Sequence, residues 1–181
     1  MKKGLYTGRF QPFHLGHLSV VKQALKKVDF LYIGIGSSQS SHSERNPFTA
    51  EEREEIIREA LKENEISENR FEIIPIPDIH NNEAWPGYVK TIVPHFDISF
   101  VGEEGIVKEL FEKHTDIPVQ IAKRKRGVSG TETRKMIKEN GDWEKFVNPS
   151  TAKIIKKIDG SKRLKNPTRS ESNRIGELPI V

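Results

Sequence analysis

The chain has 181 residues, 34% of them hydrophobic, 31% charged and 8% aromatic. That balance suits one folded domain with a short appendage and excludes a wholly disordered polymer. There is no cysteine, so disulfide frameworks, thiolate metal sites and cysteine nucleophiles are excluded, and no apolar run reaches the length that spans a bilayer. Lys and Arg (30) outnumber Asp and Glu (26) for a formal charge of +4. A cytoplasmic location and no membrane partner are expected.

Gly4-Leu5-Tyr6-Thr7-Gly8 reads as a short buried strand. Leu18, Val21, Leu25 and Val28 then recur at helical spacing, and Asp29 to Gly36 reads as a second strand around the apolar run Phe30-Leu31-Tyr32-Ile33-Gly34-Ile35. After a polar Ser/Gln/His loop, Thr49 and Glu52 make a capping box that opens a helix with an apolar stripe of Ile56, Ile57, Ala60 and Leu61. Residues 71–76 predict a third strand, 83–93 a short helix, 97–102 a fourth strand, 107–111 a helix and 118–122 a fifth strand. Ser129 with Glu132 makes a second capping box, and 153–158 predicts a last helix. Strand alternating with helix predicts an α/β fold: a Rossmann-like parallel sheet of about five strands, helices on both faces, and a C-terminal helical extension. One domain is expected over 1–160. A basic tail over 161–181, polar and broken by proline, is expected to be poorly ordered, at least from about Asn166.

Chemistry concentrates in Gly8-Arg9-Phe10-Gln11-Pro12-Phe13-His14-Leu15-Gly16-His17, which follows the first strand and opens the first helix. Gly8 lets backbone approach a phosphate, and the helix start offers unpaired N–H groups and a positive dipole end. His14 and His17, three residues apart, lie one helical turn from each other and can face one ligand. The segment lacks the Gly-Lys-Ser/Thr ending of a Walker loop and the Gly-x-Gly-x-x-Gly of a dinucleotide fingerprint. A lone histidine at a helix start is usually a cap or a surface residue. Two at this spacing could hold zinc, but His42, His80, His95 and His114 offer no third ligand in a related context.

A second segment, Ser129-Gly130-Thr131-Glu132-Thr133-Arg134, starts a helix after the fifth strand. It supplies two hydroxyls, first-turn amides and a guanidinium fork that matches phosphate oxygens. Alone it would be a capped helix; with the histidine segment it makes two helix N-termini able to grip one triphosphate. The block Lys123-Arg124-Lys125-Arg126 and the basic residues Lys162, Arg163, Lys165, Arg169 and Arg174 suit anionic partners, with a solvated surface as the simpler reading of each.

Together these segments resemble the nucleotidylyltransferase superfamily, with its His-x-Gly-His and late Ser-x-Thr-x-x-Arg signatures. The likeness is closest to archaeal-type nicotinamide-nucleotide adenylyltransferases, and two further stretches carry it: Gly36-Ser37-Ser38-Gln39-Ser40-Ser41-His42-Ser43 with Asn46-Pro47-Phe48-Thr49-Ala50-Glu51-Glu52-Arg53, and Ile76-Pro77-Asp78-Ile79-His80-Asn81-Asn82-Glu83-Ala84-Trp85. The resemblance runs in order from about Gly4 to Leu164. It implies ATP held by Gly8, Arg9, Phe10, His14, His17, Arg45, Ser129, Thr131 and Arg134, with His14, His17 and Arg134 catalytic. It implies nicotinamide mononucleotide, and the product NAD, against Ser37, Asp78, Asn82 and Trp85, with the pyridine ring on the Trp85 face and Asn82 near its amide. Val128 stands where the group often has an aromatic. Mg²⁺ is expected to arrive on the ATP phosphates with no protein metal site. A homo-oligomer is expected, and no nucleic-acid partner, since no basic stretch interleaves aromatics in the manner of an RNA-binding motif. The alternatives are a related enzyme acting on phosphopantetheine, a flavin nucleotide or a polyol phosphate, and a non-enzymatic nucleotide- or RNA-binding protein.

Overall fold

The computed structural model describes residues 1–79, 81–123 and 127–168. His80, Arg124, Lys125, Arg126 and the basic residues from Arg169 onward lie outside the described residues.

Five short strands form one sheet: β1 (Lys3–Gly8), β2 (Phe30–Ile35), β3 (Phe71–Pro75), β4 (Ile98–Val101) and β5 (Val119–Ile121). Their order is β3-β2-β1-β4-β5, and every neighbouring pair is parallel. Each strand falls within a run singled out from the sequence except β1, which starts one residue earlier, at Lys3. The runs are almost continuously apolar because a parallel sheet is covered on both sides.

Successive residues face opposite sides. Tyr6, Leu31, Ile33 and Ile35 join a core with α1 (Leu15–Ala24), α2 (Ala50–Glu63) and α6 (Pro149–Lys157). Leu5, Tyr32 and Ile74 join a second core with α3 (Trp85–Ile92) and α4 (Ile106–His114). Fully burying a side chain such as Leu5 or Ile33 contributes roughly 1.5–3 kcal/mol, so strands of three to six residues persist because both faces are covered.

The capping box at α2 forms in both directions: Thr49 Oγ1 accepts the Glu52 N–H at 3.2 Å and Glu52 Oε2 accepts the Thr49 N–H at 2.9 Å. At α5 (Gly130–Lys138) only half of the expected pair is made, with Ser129 Oγ accepting the Glu132 N–H at 3.1 Å. Beyond α6 the described residues form one more helix, α7 (Gly160–Lys165), which apart from Gly160 lies in the stretch read from the sequence as tail. Its Leu164 is buried and Arg163 pairs with Glu52. These tertiary contacts hold six residues that their own propensity would not keep helical.

The chain runs from central β1 outward to β2 and β3, then returns to β4 and β5 on the other side. This reversal puts a switch point between β1 and β4, and in open parallel sheets the crevice beyond the strand ends at such a point is where ligands enter. Among the described residues no helix is long and apolar enough to cross a membrane.

Candidate active site

β1 delivers its carboxyl end directly into the histidine loop. Phe10 folds back in a left-handed conformation (φ 50°), and a Cβ on Gly8 would lie 2.7 Å from its ring, so glycine is required there. The loop then enters α1 through a capping box built from imidazoles. His14 Nδ1 accepts the backbone N–H groups of Gly16 (3.1 Å) and His17 (3.3 Å), and His17 Nδ1 accepts the N–H of His14 (3.3 Å). The rings stack at 3.6 Å with 18° between planes. Gly16 leaves room for this, because a Cβ there would meet the His14 ring at 2.8 Å.

This geometry fixes a tautomer. Each Nδ1 accepts, so each neutral ring carries its proton on Nε2 and offers that N–H as a donor. Both rings are enclosed, His14 fully and His17 at 6% exposure.

Arg134 ties the second segment to the first. Its Nη1 donates to the Gln11 carbonyl at 2.9 Å, across 123 residues, while Nη2 donates to Thr131 Oγ1 at 3.4 Å. Ser129 is used as the α5 cap, and its carbonyl accepts from the Thr133 backbone and hydroxyl. The two helix starts read from the sequence thus meet at the β1 exit.

Two residues that the sequence left without a role organise the neighbouring loops. Gln11 pairs with both backbone groups of Phe48, Nε2 donating to its carbonyl at 2.9 Å and Oε1 accepting its N–H at 3.0 Å. Arg53, fully buried in α2, donates to the carbonyls of Arg9 (2.9 Å), Gly36 (2.7 Å), Ser37 (3.1 Å) and Thr49 (3.1 Å). Burial pushes its pKa down to about 10, opposed by Asp78 and the α2 carboxylates, so it stays a cation at neutral pH. One guanidinium thereby joins the loops leaving β1 and β2. Asp78 completes the frame, its Oδ1 accepting the Ser37 N–H at 3.2 Å.

A cleft of about 740 Å³ opens beside this frame, lined by Arg9, Arg45, Thr131 and Arg134 together with Lys135, Lys138, Glu44, Glu139 and Leu164. Four expected site residues from three separate segments therefore share one cavity. Its wall is strongly cationic, with Lys138 already paired to Glu44 at 2.7 Å. His14, His17 and Ser129 do not line it but belong to the segments that do. Among the described residues no group of three His, Asp or Glu side chains is placed to hold a metal ion.

The other expected subsite is less open. Trp85 at the start of α3 is fully buried, edge-on to Phe111 at 5.8 Å, so its ring presents no free face to solvent. Its Nε1 and the Oδ1 of Asn82 are buried without hydrogen-bond partners among the described residues. Unsatisfied buried polar atoms are costly.

Fold and cleft together are those of a parallel α/β protein with a cationic crevice at the carboxyl edge of its sheet. Residues 5–156 match the cytidylyltransferase-like family model, and the chain belongs to that family. It is 42% identical over 165 residues to the nicotinamide-nucleotide adenylyltransferase of Thermococcus kodakarensis, covering 91% of this chain and 88% of the relative. It is 45% identical over 169 residues to the enzyme of that name from Archaeoglobus fulgidus, covering 91% and 96%. Likeness of that extent places the chain among the nicotinamide-nucleotide adenylyltransferases. In structure it is similar to a bifunctional NMN adenylyltransferase/ADP ribose pyrophosphatase of Francisella tularensis, solved with AMP and a manganese ion. That likeness has a TM-score of 0.76 at 22% identity, covers 90% of this chain and spans about half (51%) of the larger protein, and it bears on the fold alone.

Proposed function

We propose that the protein transfers the adenylyl group of ATP to nicotinamide mononucleotide, forming NAD and pyrophosphate. The observation that carries this reading is the single cleft that gathers Arg9, Arg45, Thr131 and Arg134 at the exit of β1. Its volume falls in the range of small-molecule sites, and its charge suits a polyphosphate.

The acceptor's phosphate loses its second proton at about pH 6, so at neutral pH it is already nucleophilic and needs no general base. One of its oxygens bonds to the α-phosphorus of ATP, the bond from that phosphorus to the β-bridging oxygen breaks, and pyrophosphate leaves with the electron pair. The protein aligns the partners and stabilises charge. His17 donates its Nε2–H to the α-phosphate, and His14 and Arg9 hold the pyrophosphate side. Arg45 and Arg134 bind the β- and γ-phosphates, with the Thr131 hydroxyl and the Ser129-capped start of α5 beside them. Ser37, Asp78, Asn82 and Trp85 form the acceptor side, where the indole N–H and the Asn82 amide oxygen offer unused polar atoms to a carboxamide.

Among the described residues no group of three His, Asp or Glu side chains is placed to hold a metal ion; Mg²⁺ would arrive with ATP and would supply neutralisation of phosphate charge. Cytoplasmic location and homo-oligomeric assembly complete the proposal, the latter checked by light scattering. The decisive assay follows NAD formation from ATP and nicotinamide mononucleotide by reduction of the product in a coupled dehydrogenase reaction. Binding of ATP without any NAD formed would overturn the reading.

A further inference from the structure

We infer that the last described helix, α7, is a structural wall of the triphosphate cleft, and that Arg163 is a positioning residue for Arg45. The inference rests on the ATP-binding part of the proposed function.

Arg163 makes a fork with one carboxylate, its Nη1 and Nη2 donating to Glu52 Oε2 and Oε1 at 2.5 and 2.9 Å. Both side chains are largely buried, at 17% and 20% exposure, where such an ion pair is screened far less than on the surface. The same Glu52 oxygen accepts the Thr49 N–H that closes the start of α2. Nη1 of Arg163 also donates to the Pro47 carbonyl at 3.1 Å. Farther along, the Thr168 N–H donates to the His42 carbonyl at 3.1 Å.

The segment after α6 therefore holds the loop between β2 and α2 at two points, residues 42 and 47, and Arg45 lies between them. Leu164, next to Arg163, lines the same cleft as Arg45, Arg9 and Arg134. From the other side Gln11, on the loop that carries Arg9, grips Phe48. Arg45 is thus carried on a loop pinned by the histidine segment and by α7, and a guanidinium can bind phosphate oxygens in a fork only when its backbone is held.

The test is calorimetric binding of ATP to the full chain without acceptor, alongside the KM of each substrate. In Arg163→Met, ATP affinity falls about tenfold while the acceptor KM stays within about twofold. Arg163→Lys, which keeps the charge but not the fork, gives an intermediate loss and supplies the measurement should the methionine variant fail to fold. Glu52→Gln combined with Arg163→Met costs ATP affinity less than the sum of the two single losses, because both remove one contact. Unchanged ATP affinity in the folded variants overturns the inference, as does an equal rise in both KM values, which would mark general loosening. A wild-type protein that binds ATP but makes no NAD refutes the acceptor assignment and leaves this inference to be decided by the ATP measurements.

Discussion

At the scale of single residues, the imidazole capping box is the feature with the most chemistry in it. Two rings whose Nδ1 atoms are occupied by backbone N–H groups can present only Nε2–H to a ligand, which suits donation to developing charge and not proton abstraction. His17→Ala is expected to lower kcat by about two to three orders of magnitude, as loss of a preorganised donor does elsewhere, with circular dichroism unchanged; turnover within a few-fold of the wild type would remove His17 from the mechanism. Trp85 needs a different substitution. Because it is fully buried against Phe111, Trp85→Ala should cost about 3–5 kcal/mol of stability and obscure any ligand effect. Trp85→Phe keeps most of the volume and removes the indole N–H, and is expected to raise the acceptor KM while leaving the ATP KM alone. An unmoved acceptor KM would make Trp85 a core residue only. The spacing of His14 and His17 was legible because three residues make nearly one helical turn. A cap was one ordinary reading of a single histidine at a helix start; that both rings close one box together was not legible, since the spacing alone does not show which ring atoms face the backbone. The aromatic identity of Trp85 announced a platform, while its enclosure depends on α4, which lies later in the chain.

At the scale of elements, α2 shows how a surface-like sequence hides a structural centre. Ala50–Glu63 is dense in Glu and Arg, and a charged helix reads as a solvated face. Arg53 nevertheless points inward and binds four carbonyls, and only the loops packed against α2 explain it. Glu52 is opposed by its own burial, but the Arg163 hydrogen bonds and the Thr49 N–H outweigh this and hold its carboxyl below the ordinary 4.5. A carboxyl depressed on folding contributes its full stabilisation above its unfolded value and loses it as pH falls through the folded one. Thermal stability should therefore drop on acidification from about pH 6 to about pH 3 more steeply in the wild type than in Glu52→Gln; parallel profiles would show that the pair is not coupled to folding. α7 was not legible as an element because its six residues carry one apolar side chain. The strands were, because burial on both faces leaves each as an apolar run.

At the scale of the whole molecule, the parallel direction of the strands follows from their alternation with helices, though the order β3-β2-β1-β4-β5, and with it the strand in the middle, does not. That central place has a consequence for durability. β1 is bonded to β2 on one side and β4 on the other, so its amides can meet solvent deuterium only when the sheet itself comes apart. Leu5, Tyr6 and Thr7 are expected to be among the slowest-exchanging positions in native-state exchange, with opening energies near the global value, whereas faster exchange there than in β5 would contradict it. The histidine loop follows directly on that strand, whose last residue is Gly8. Warming should then leave the site's alignment intact until the fold melts, so that inactivation and unfolding share one midpoint.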